Sequence, residues 1–214
     1  ISNNHSKSYL PAFFYLTNGN ELQKKDALLK RANRFDHILQ SDLKKIPSSP
    51  IIYWLKGLDN FKREKLSAYF VSGGRNKTHN NDKFVRYFWE VSLCEKKWIG
   101  YANGGESRKY NGNDEYVIDW SDEAKAVYDS HGGLSNPRFW DKTGITWSLI
   151  GTKGCAFRLK PNELQYSSGS PVIFCEDENT TYVTLAFLNS VVGQYYLTAI
   201  SPTINTTASN VLSL

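Results

Sequence analysis

The chain has 214 residues, enough for one large domain or two small ones, and at 14% its aromatic content can build a substantial core. No apolar run approaches membrane-spanning length and no signal peptide is visible. The net charge of +5 has the sign that a nucleic-acid partner wants, but is too small to prove one. In chain order, residues 9–16 are apolar and aromatic and predict a strand. Asn18-Gly19-Asn20 turns the chain, and residues 21–32 predict a helix with Asn20 as N-cap and Leu22, Leu28 and Leu29 facing inward. Residues 35–43 fit strand or helix. Ile46-Pro47-Ser48-Ser49-Pro50 is a rigid connector into Ile51-Ile52-Tyr53-Trp54-Leu55, a run that must be buried. Residues 83–91 alternate Phe84, Arg86, Phe88 and Glu90 with Val85, Tyr87, Trp89 and Val91, predicting a strand with two occupied faces. Arg86 there serves either an ion pair in the sheet or an anionic ligand.

Residues 96–101 and 116–120 predict two partnered strands, the second with Tyr116, Ile118 and Trp120 on one face. Ser121 caps a short helix over 121–128 with Asp122 and Glu123 in its first turn. Residues 130–137 form a glycine-rich loop. Strands are predicted at 156–159 and 171–174 around turn-rich 160–170. The long apolar stretch 182–199 opens β-prone at Tyr182-Val183-Thr184 and continues as a helix with an inward stripe of Leu185, Leu188, Val192 and Tyr195.

Two polar loops carry the charge. The first is Ser72-Gly73-Gly74-Arg75-Asn76-Lys77-Thr78-His79-Asn80-Asn81; it lacks the spacing and the strand–loop–helix setting of a phosphate-binding P-loop. The second, residues 103–113, holds Asn103, Gly104, Gly105, Asn111, Gly112 and Asn113, which tolerate positive φ, around Arg108, Lys109 and Tyr110. Between Asn60 and Gly112, basic residues exceed acidic ones by eleven to five, more than the whole net charge. A glycine-rich loop presenting Arg, Lys and an aromatic ring suits a polyanion with flat bases, or else is a solvated hairpin whose glycines serve its turns only. Cys94, Cys155 and Cys175 are odd in number, widely spaced and without metal spacing, as in a reduced cytoplasmic protein. The Asn-x-Ser/Thr triplets at Asn4, Asn76, Asn179 and Asn205 are what an asparagine-rich chain gives by chance, and the start at Ile1 suits an excised domain.

The run Gly104-Gly105-Glu106-Ser107-Arg108-Lys109-Tyr110-Asn111-Gly112-Asn113, between Lys97-Trp98 and Tyr116-Val117-Ile118-Asp119-Trp120, closely resembles a signature of adenine-specific DNA methyltransferases of the BREX phage-defence type, the PglX family, and of related restriction-modification enzymes. Ile46-Pro47-Ser48-Ser49-Pro50-Ile51-Ile52-Tyr53-Trp54, the Gly73–Arg86 region, Gly144-Ile145-Thr146-Trp147-Ser148 and Ser201-Pro202-Thr203-Ile204-Asn205 resemble the same family, from about residue 46 to the end. His79-Asn80-Asn81 departs from the commoner Gly-Asp-Asn arrangement. The resemblance implies an α+β fold, a twisted and mostly antiparallel sheet with a few helices, like the C-terminal specificity domain of the TaqI type. It implies a connecting segment over 1–50 from a methyltransferase core and a target-recognition domain over 51–214. The implied partners are double-stranded DNA and that core, with S-adenosylmethionine bound by the core. Lys77, Lys83, Lys97, Arg108 and Lys109 would neutralise phosphates; Arg75, Asn76, Asn103 and Tyr110 would reach base edges or stack; Thr146 and Ser148 are weaker candidates, as is Trp147, which serves equally well as core.

Catalytic chemistry is not legible. Neither a glycine-rich cofactor loop after a strand nor an Asn/Asp-Pro-Pro-aromatic motif is found; in the nearest string, Asn136-Pro137-Arg138-Phe139, Arg replaces the second Pro. A metal-dependent nuclease would need Asp114 or Asp119 with Glu123 and Lys125 on one strand, whereas a helix start at Ser121 splays the last two apart. His5, His37, His79 and His131 are scattered. A protein–protein docking module of the same defence complex is the competing reading.

Overall fold

A computed structural model describes residues 8–92, 94–151 and 154–214; His5 and the triplet at Asn4 lie outside the described residues. The fold is α+β, with short strands paired antiparallel except at one junction, and short helices. It divides into two compact units, Ile1–Glu64 and Lys65–Leu214.

In the first unit β1 (Phe13–Phe14) pairs antiparallel with β2 (Arg34–Phe35), a much shorter strand than residues 9–16 predict. Between them runs α1 (Glu21–Leu29), started by a capping box: the Asn20 side chain accepts from Gln23 N, and the Gln23 side chain accepts from Asn20 N. The inward stripe expected of α1 is absent: Leu22, Leu28 and Leu29 are all exposed. Leu28 lies about a third of a turn from the line through Leu22 and Leu29, so the three never share a face. Tyr53 binds the strands instead, stacking on Phe13 at 4.5 Å and donating its hydroxyl to Phe14 O at 3.1 Å. Of the apolar run at 51–55, Ile52 and Leu55 are buried and Ile51 is exposed.

In the second unit β3 (Val71–Ser72) leads through the first polar loop to α2 (Asn81–Phe84), β4 (Val85–Tyr87) and a 3-10 turn (Phe88–Glu90). The single strand predicted over 83–91 is therefore broken. The Asn80 side chain accepts from Lys83 N to start a helical turn, and the Glu90 carboxylate accepts from Tyr87 N to start another. Then come β5 (Trp98–Ala102), β6 (Tyr116–Asp119) and α3 (Asp122–Ser130), capped by Ser121 as its sequence predicts. A 3-10 turn (Pro137–Phe139) precedes β7 (Gly144–Trp147), β8 (Phe157–Lys160), β9 (Gln165–Tyr166) and β10 (Val172–Phe174); β9 falls inside the stretch read as turns. Three helices follow: α4 (Glu178–Asn189), α5 (Val191–Ile200) and α6 (Ala208–Leu212).

One sheet runs β3-β10-β7-β8 and the other β4-β6-β5-β9, with β5 and β9 parallel. In the predicted hairpin Ile99 faces Ile118; in the other sheet Trp147 faces Phe157. Trp147, Phe157, Ile173, Leu188 and Val211 are fully enclosed in one core. The long apolar stretch is two helices bent by 76° at Ser190, whose side chain caps α5 through Gly193 N. A Cβ on Gly193 would strike the Phe187 carbonyl, so the bend requires glycine. The bend also splits the expected stripe: Leu185 and Leu188 are buried, Val192 and Tyr195 are exposed. Tyr182–Thr184, read as β-prone, is helical because Asp177 caps α4 by accepting from Thr180 N at 2.6 Å. Among the described residues no single helix is long and apolar enough to cross a membrane.

Candidate functional site

The first polar loop is fastened from below. Asn76 is fully buried: its Nδ2 donates to Gln165 Oε1 at 3.1 Å, its Oδ1 accepts from Ser135 N at 2.8 Å, and its carbonyl accepts from Tyr101 Oη at 3.2 Å. Lys77 N donates to Gly133 O at 2.7 Å, and Tyr166 Oη donates to Gly73 O at 2.8 Å. These bonds tie the loop to β5, β9 and the segment after α3. Burial pushes the Tyr101, Tyr128 and Tyr166 phenols above their ordinary range, so these rings act as neutral hydrogen-bonding struts. Arg75 and Lys77 flank the anchored Asn76: Arg75 is exposed, Lys77 half-buried, and neither has an ion-pair partner among the described residues.

The second polar loop lies along β8. Tyr110 N donates to Phe157 O at 2.8 Å and Leu159 N donates to Tyr110 O at 3.0 Å. Tyr110 takes a φ of +71° to do so and leaves its ring exposed. Gly104 N donates to Ser170 Oγ at 2.6 Å, and Asn113 Nδ2 closes the loop onto Glu106 O at 2.8 Å. One cleft lies between the two loops, lined by Lys77, Thr78, His79, Asn103 and Ser167. A second, of about 340 Å³, is walled by Gly105, Glu106, Ser107 and Ser148.

The structure thus divides the expected contact residues. Lys77 and Asn103 come together at the first cleft, Arg75 is exposed next to Lys77 in the first loop, and Tyr110 leaves its ring exposed at the tip of the second. Lys83 is exposed, its Nζ 4.9 Å from the centre of the Phe84 ring. The other cations are engaged within the protein. Lys97 pairs with Glu95 at 3.3 Å, and Arg108 pairs with Glu115 at 3.0 Å and Glu106 at 3.9 Å. Lys109 Nζ donates to the carbonyl of Asn189, the last residue of α4, at 2.8 Å. Asn76 is enclosed, and its amide is engaged with Gln165 and Ser135, so in this structure it orders its neighbours. Thr146 is likewise buried, donating to Pro171 O at 3.0 Å, and Trp147 is core, its Nε1 donating to Thr206 O at 2.7 Å. Ser148 reaches the second cleft while donating to Gly105 O at 2.9 Å.

A cation on the last carbonyl of a helix meets both an unpaired acceptor and the negative end of the helix dipole. Lys109→Ala should therefore lower stability by about 1 kcal/mol. Lys83→Ala should stay within about 0.5 kcal/mol of the parent chain. Urea melts of the two variants check this, and equal midpoints would contradict the role given to Lys109.

No protein-family profile matches the chain. The chain is 36% identical over 223 aligned residues to the adenine-specific methyltransferase BrxX of Escherichia coli O9:H4 (strain HS), covering 99% of this chain and 18% of that protein. It is 30% identical over 200 residues to the adenine-specific methyltransferase PglX of Lacticaseibacillus casei (strain Zhang), covering 82% of this chain and 17% of that one. Over most of its length the chain is homologous to these methyltransferases. It spans less than a fifth of the length of the curated relatives it matches.

The string Asn136-Pro137-Arg138-Phe139 is used within the fold. Asn136 caps its own turn by accepting from Arg138 N at 3.1 Å, and Phe139 is buried, stacked on Phe174 at 5.1 Å. The Phe139 ring is therefore not presented for stacking on a base. Glu123 and Lys125 lie on α3, where Lys125 pairs with Asp122 at 2.8 Å. Among the described residues no three His, Cys, Asp or Glu side chains could hold a metal ion; the rings of His79 and His131 lie 5.3 Å apart between centres, and His131 Nδ1 is 2.9 Å from Val127 O.

Two functional candidates escaped the sequence. Arg158 and Lys160, on β8, are both buried. Lys160 donates to Lys142 O at 2.7 Å and Trp140 O at 3.1 Å, and burial brings its ammonium down to about 8. Arg158 lies at the back of the second cleft. The polar half of a strand's alternation is the only sequence signal for either, and that signal ordinarily marks the solvent face.

Proposed function

We propose that this chain recognises the DNA target of an adenine-specific, S-adenosylmethionine-dependent DNA methyltransferase of a bacterial phage-defence or restriction-modification system, acting in the cytoplasm. Residues 51–214 carry the recognition, in a domain like the TaqI-type specificity domain, and residues 1–50 connect it to the methyltransferase core. The cofactor belongs to that core, because the chain offers no cofactor loop. The observation that carries this reading is the pairing of two buttressed polar loops around one cleft, with Lys77 and Asn103 in its wall and Arg75 exposed next to Lys77, in a chain homologous over 99% of its length to part of a methyltransferase. Arg75, Lys77 and Lys83 meet phosphates or base edges, and Asn103 and Tyr110 supply an amide and a ring for bases. Lys97, Arg108 and Lys109 reach DNA only by exchanging an internal partner for a phosphate.

Each neutralised phosphate contributes about −0.9 to the slope of log affinity against log salt. Three unpaired cations therefore give a slope of roughly −3. Titrating duplex DNA binding by the chain between low and physiological salt measures it, and a flat titration counts against DNA recognition.

The second reading, docking onto other parts of the complex, has its own support. Phe88 and Trp89 are exposed beside β4, and Val183 and Val191 are exposed on α4 and α5. Partner binding that ignores salt while DNA binding is absent would favour it.

A further inference from the structure

The second cleft has a cation at its back that no carboxylate among the described residues neutralises at close range. Arg158 is 2% exposed, held there because the second polar loop is hydrogen-bonded along β8 and covers that face of the strand. Its guanidinium has five N–H donors. The protein meets it with Arg108 O at 3.5 Å and Ser148 Oγ at 3.4 Å, both neutral and both at the outer limit of hydrogen bonding. No carboxylate lies within ion-pair distance among the described residues: Glu115 is spent on Arg108, and Asp114 and Glu115 attract the guanidinium only from further off. Desolvation outweighs that attraction and holds the group below its ordinary range. A buried charge without a close counter-ion is costly to keep, and a fold has no structural reason to place one where Met or Leu would pack.

The cleft it faces is open to solvent and has a volume of about 340 Å³. Ser107 and Ser148 present small side chains and Gly105 none, and Glu106 stands on the rim with its carboxylate in solvent, drawn towards Arg108 at 3.9 Å. The same stretch of loop walls the first cleft through Asn103, so a strand crossing the loop would run from Lys77 to Arg158. We propose that this cleft is an anion site that seats one backbone phosphate of the DNA, with Arg158 as its buried bidentate donor. This rests on the DNA-recognition reading and adds to it the position that fixes register, since a forked guanidinium grips a phosphate in one orientation where an exposed lysine only attracts it.

Arg158→Met and Arg158→Lys, compared with the unsubstituted chain in duplex DNA binding against salt and in thermal melting, test it. Arg158→Met is expected to melt at or above the parent temperature, because it removes an uncompensated buried charge. It should bind DNA at least tenfold more weakly, with a salt slope shallower by about 0.9. Arg158→Lys should keep the slope but lose several-fold in affinity, because the charge remains and the fork does not. Arg158→Met that binds DNA with unchanged affinity and slope overturns the proposal alone, as does a loss confined to sites with one particular guanine, which would mark base readout. If Arg158→Met does not fold, an Arg158→Lys chain that folds and binds like the parent overturns it equally. Absence of salt-dependent DNA binding by the unsubstituted chain overturns the recognition reading and this proposal together.

Discussion

Asn76→Ala lowers the stability of the second unit by about 3 kcal/mol, more than any surface substitution in either polar loop. The side chain lies where the first loop, β9 and the segment after α3 meet. Its removal leaves Gln165 Oε1 without its donor and Ser135 N without its acceptor, both enclosed. An unsatisfied buried group costs about 1–3 kcal/mol, and the small cavity adds to that. Asp at this position fails in a different way. It can still accept from Ser135 N, but it cannot donate to Gln165, whose amide is held in its orientation by donating Nε2 to Trp140 O at 3.2 Å. Asn76→Asp should therefore destabilise as much as alanine near neutral pH. Urea denaturation of both variants reads the effect. DNA binding measured where each is still folded should also fall, since Arg75 and Lys77 would lose the fixed backbone between them. A variant of parental stability with weakened DNA binding would return Asn76 to a contact role.

Local patterns were legible where local forces decide. The hairpin of β5 and β6 follows from its aromatic and β-branched alternation, and α3 from Ser121 and its acidic first turn. Both polar loops are loops, and their glycines and asparagines do take positive φ at Gly74, Gly104, Gly105, Gly112 and Asn113. What those loops spend their side chains on was not legible, because the partners are distant in sequence. Lys109 meets a carbonyl 80 residues away and Asn76 an amide 89 away, so neither contact leaves a trace in spacing. The Val192–Tyr195 half of the α4–α5 stripe failed for a related reason: apolar spacing says which residues share a helix face, not whether anything covers it, while the leucines of α1 do not share a face at all. The alternation at Phe157–Lys160 misleads in the opposite direction. Its polar positions would face water on a one-sided sheet, but here the second polar loop and the segment around Trp140 cover them.

Lys160 makes the fold more stable as the solution becomes mildly alkaline, and Lys160→Met should abolish that rise. The ammonium is fully enclosed, with aromatic rings of Tyr166 and Phe174 each 5.6 Å away and only carbonyl acceptors at hydrogen-bond distance. Burial lowers it from 10.5 to about 8, against weaker attraction from Asp141 and Glu163. Below pH 8 both folded and unfolded chains carry the proton, and the whole burial penalty is felt. Between about 8 and 10.5 the folded chain sheds it while the unfolded chain retains it, so the unfolded state binds more protons and stability rises with pH. At 1.36 kcal/mol per unit, the gain between pH 7.5 and 9.5 is about 2 kcal/mol. Tyr101 and Tyr128 work against it above about pH 10, because their phenols are raised and favour the unfolded chain once it ionises. Subtracting Lys160→Met from the parent at each pH cancels those phenols and the pH-independent loss of donors to Trp140 O and Lys142 O. The difference should move towards the parent chain by about 2 kcal/mol across that window in urea melts. A difference that stays level from pH 7.5 to 9.5 would mean that water or a nearer carboxylate reaches the ammonium in solution.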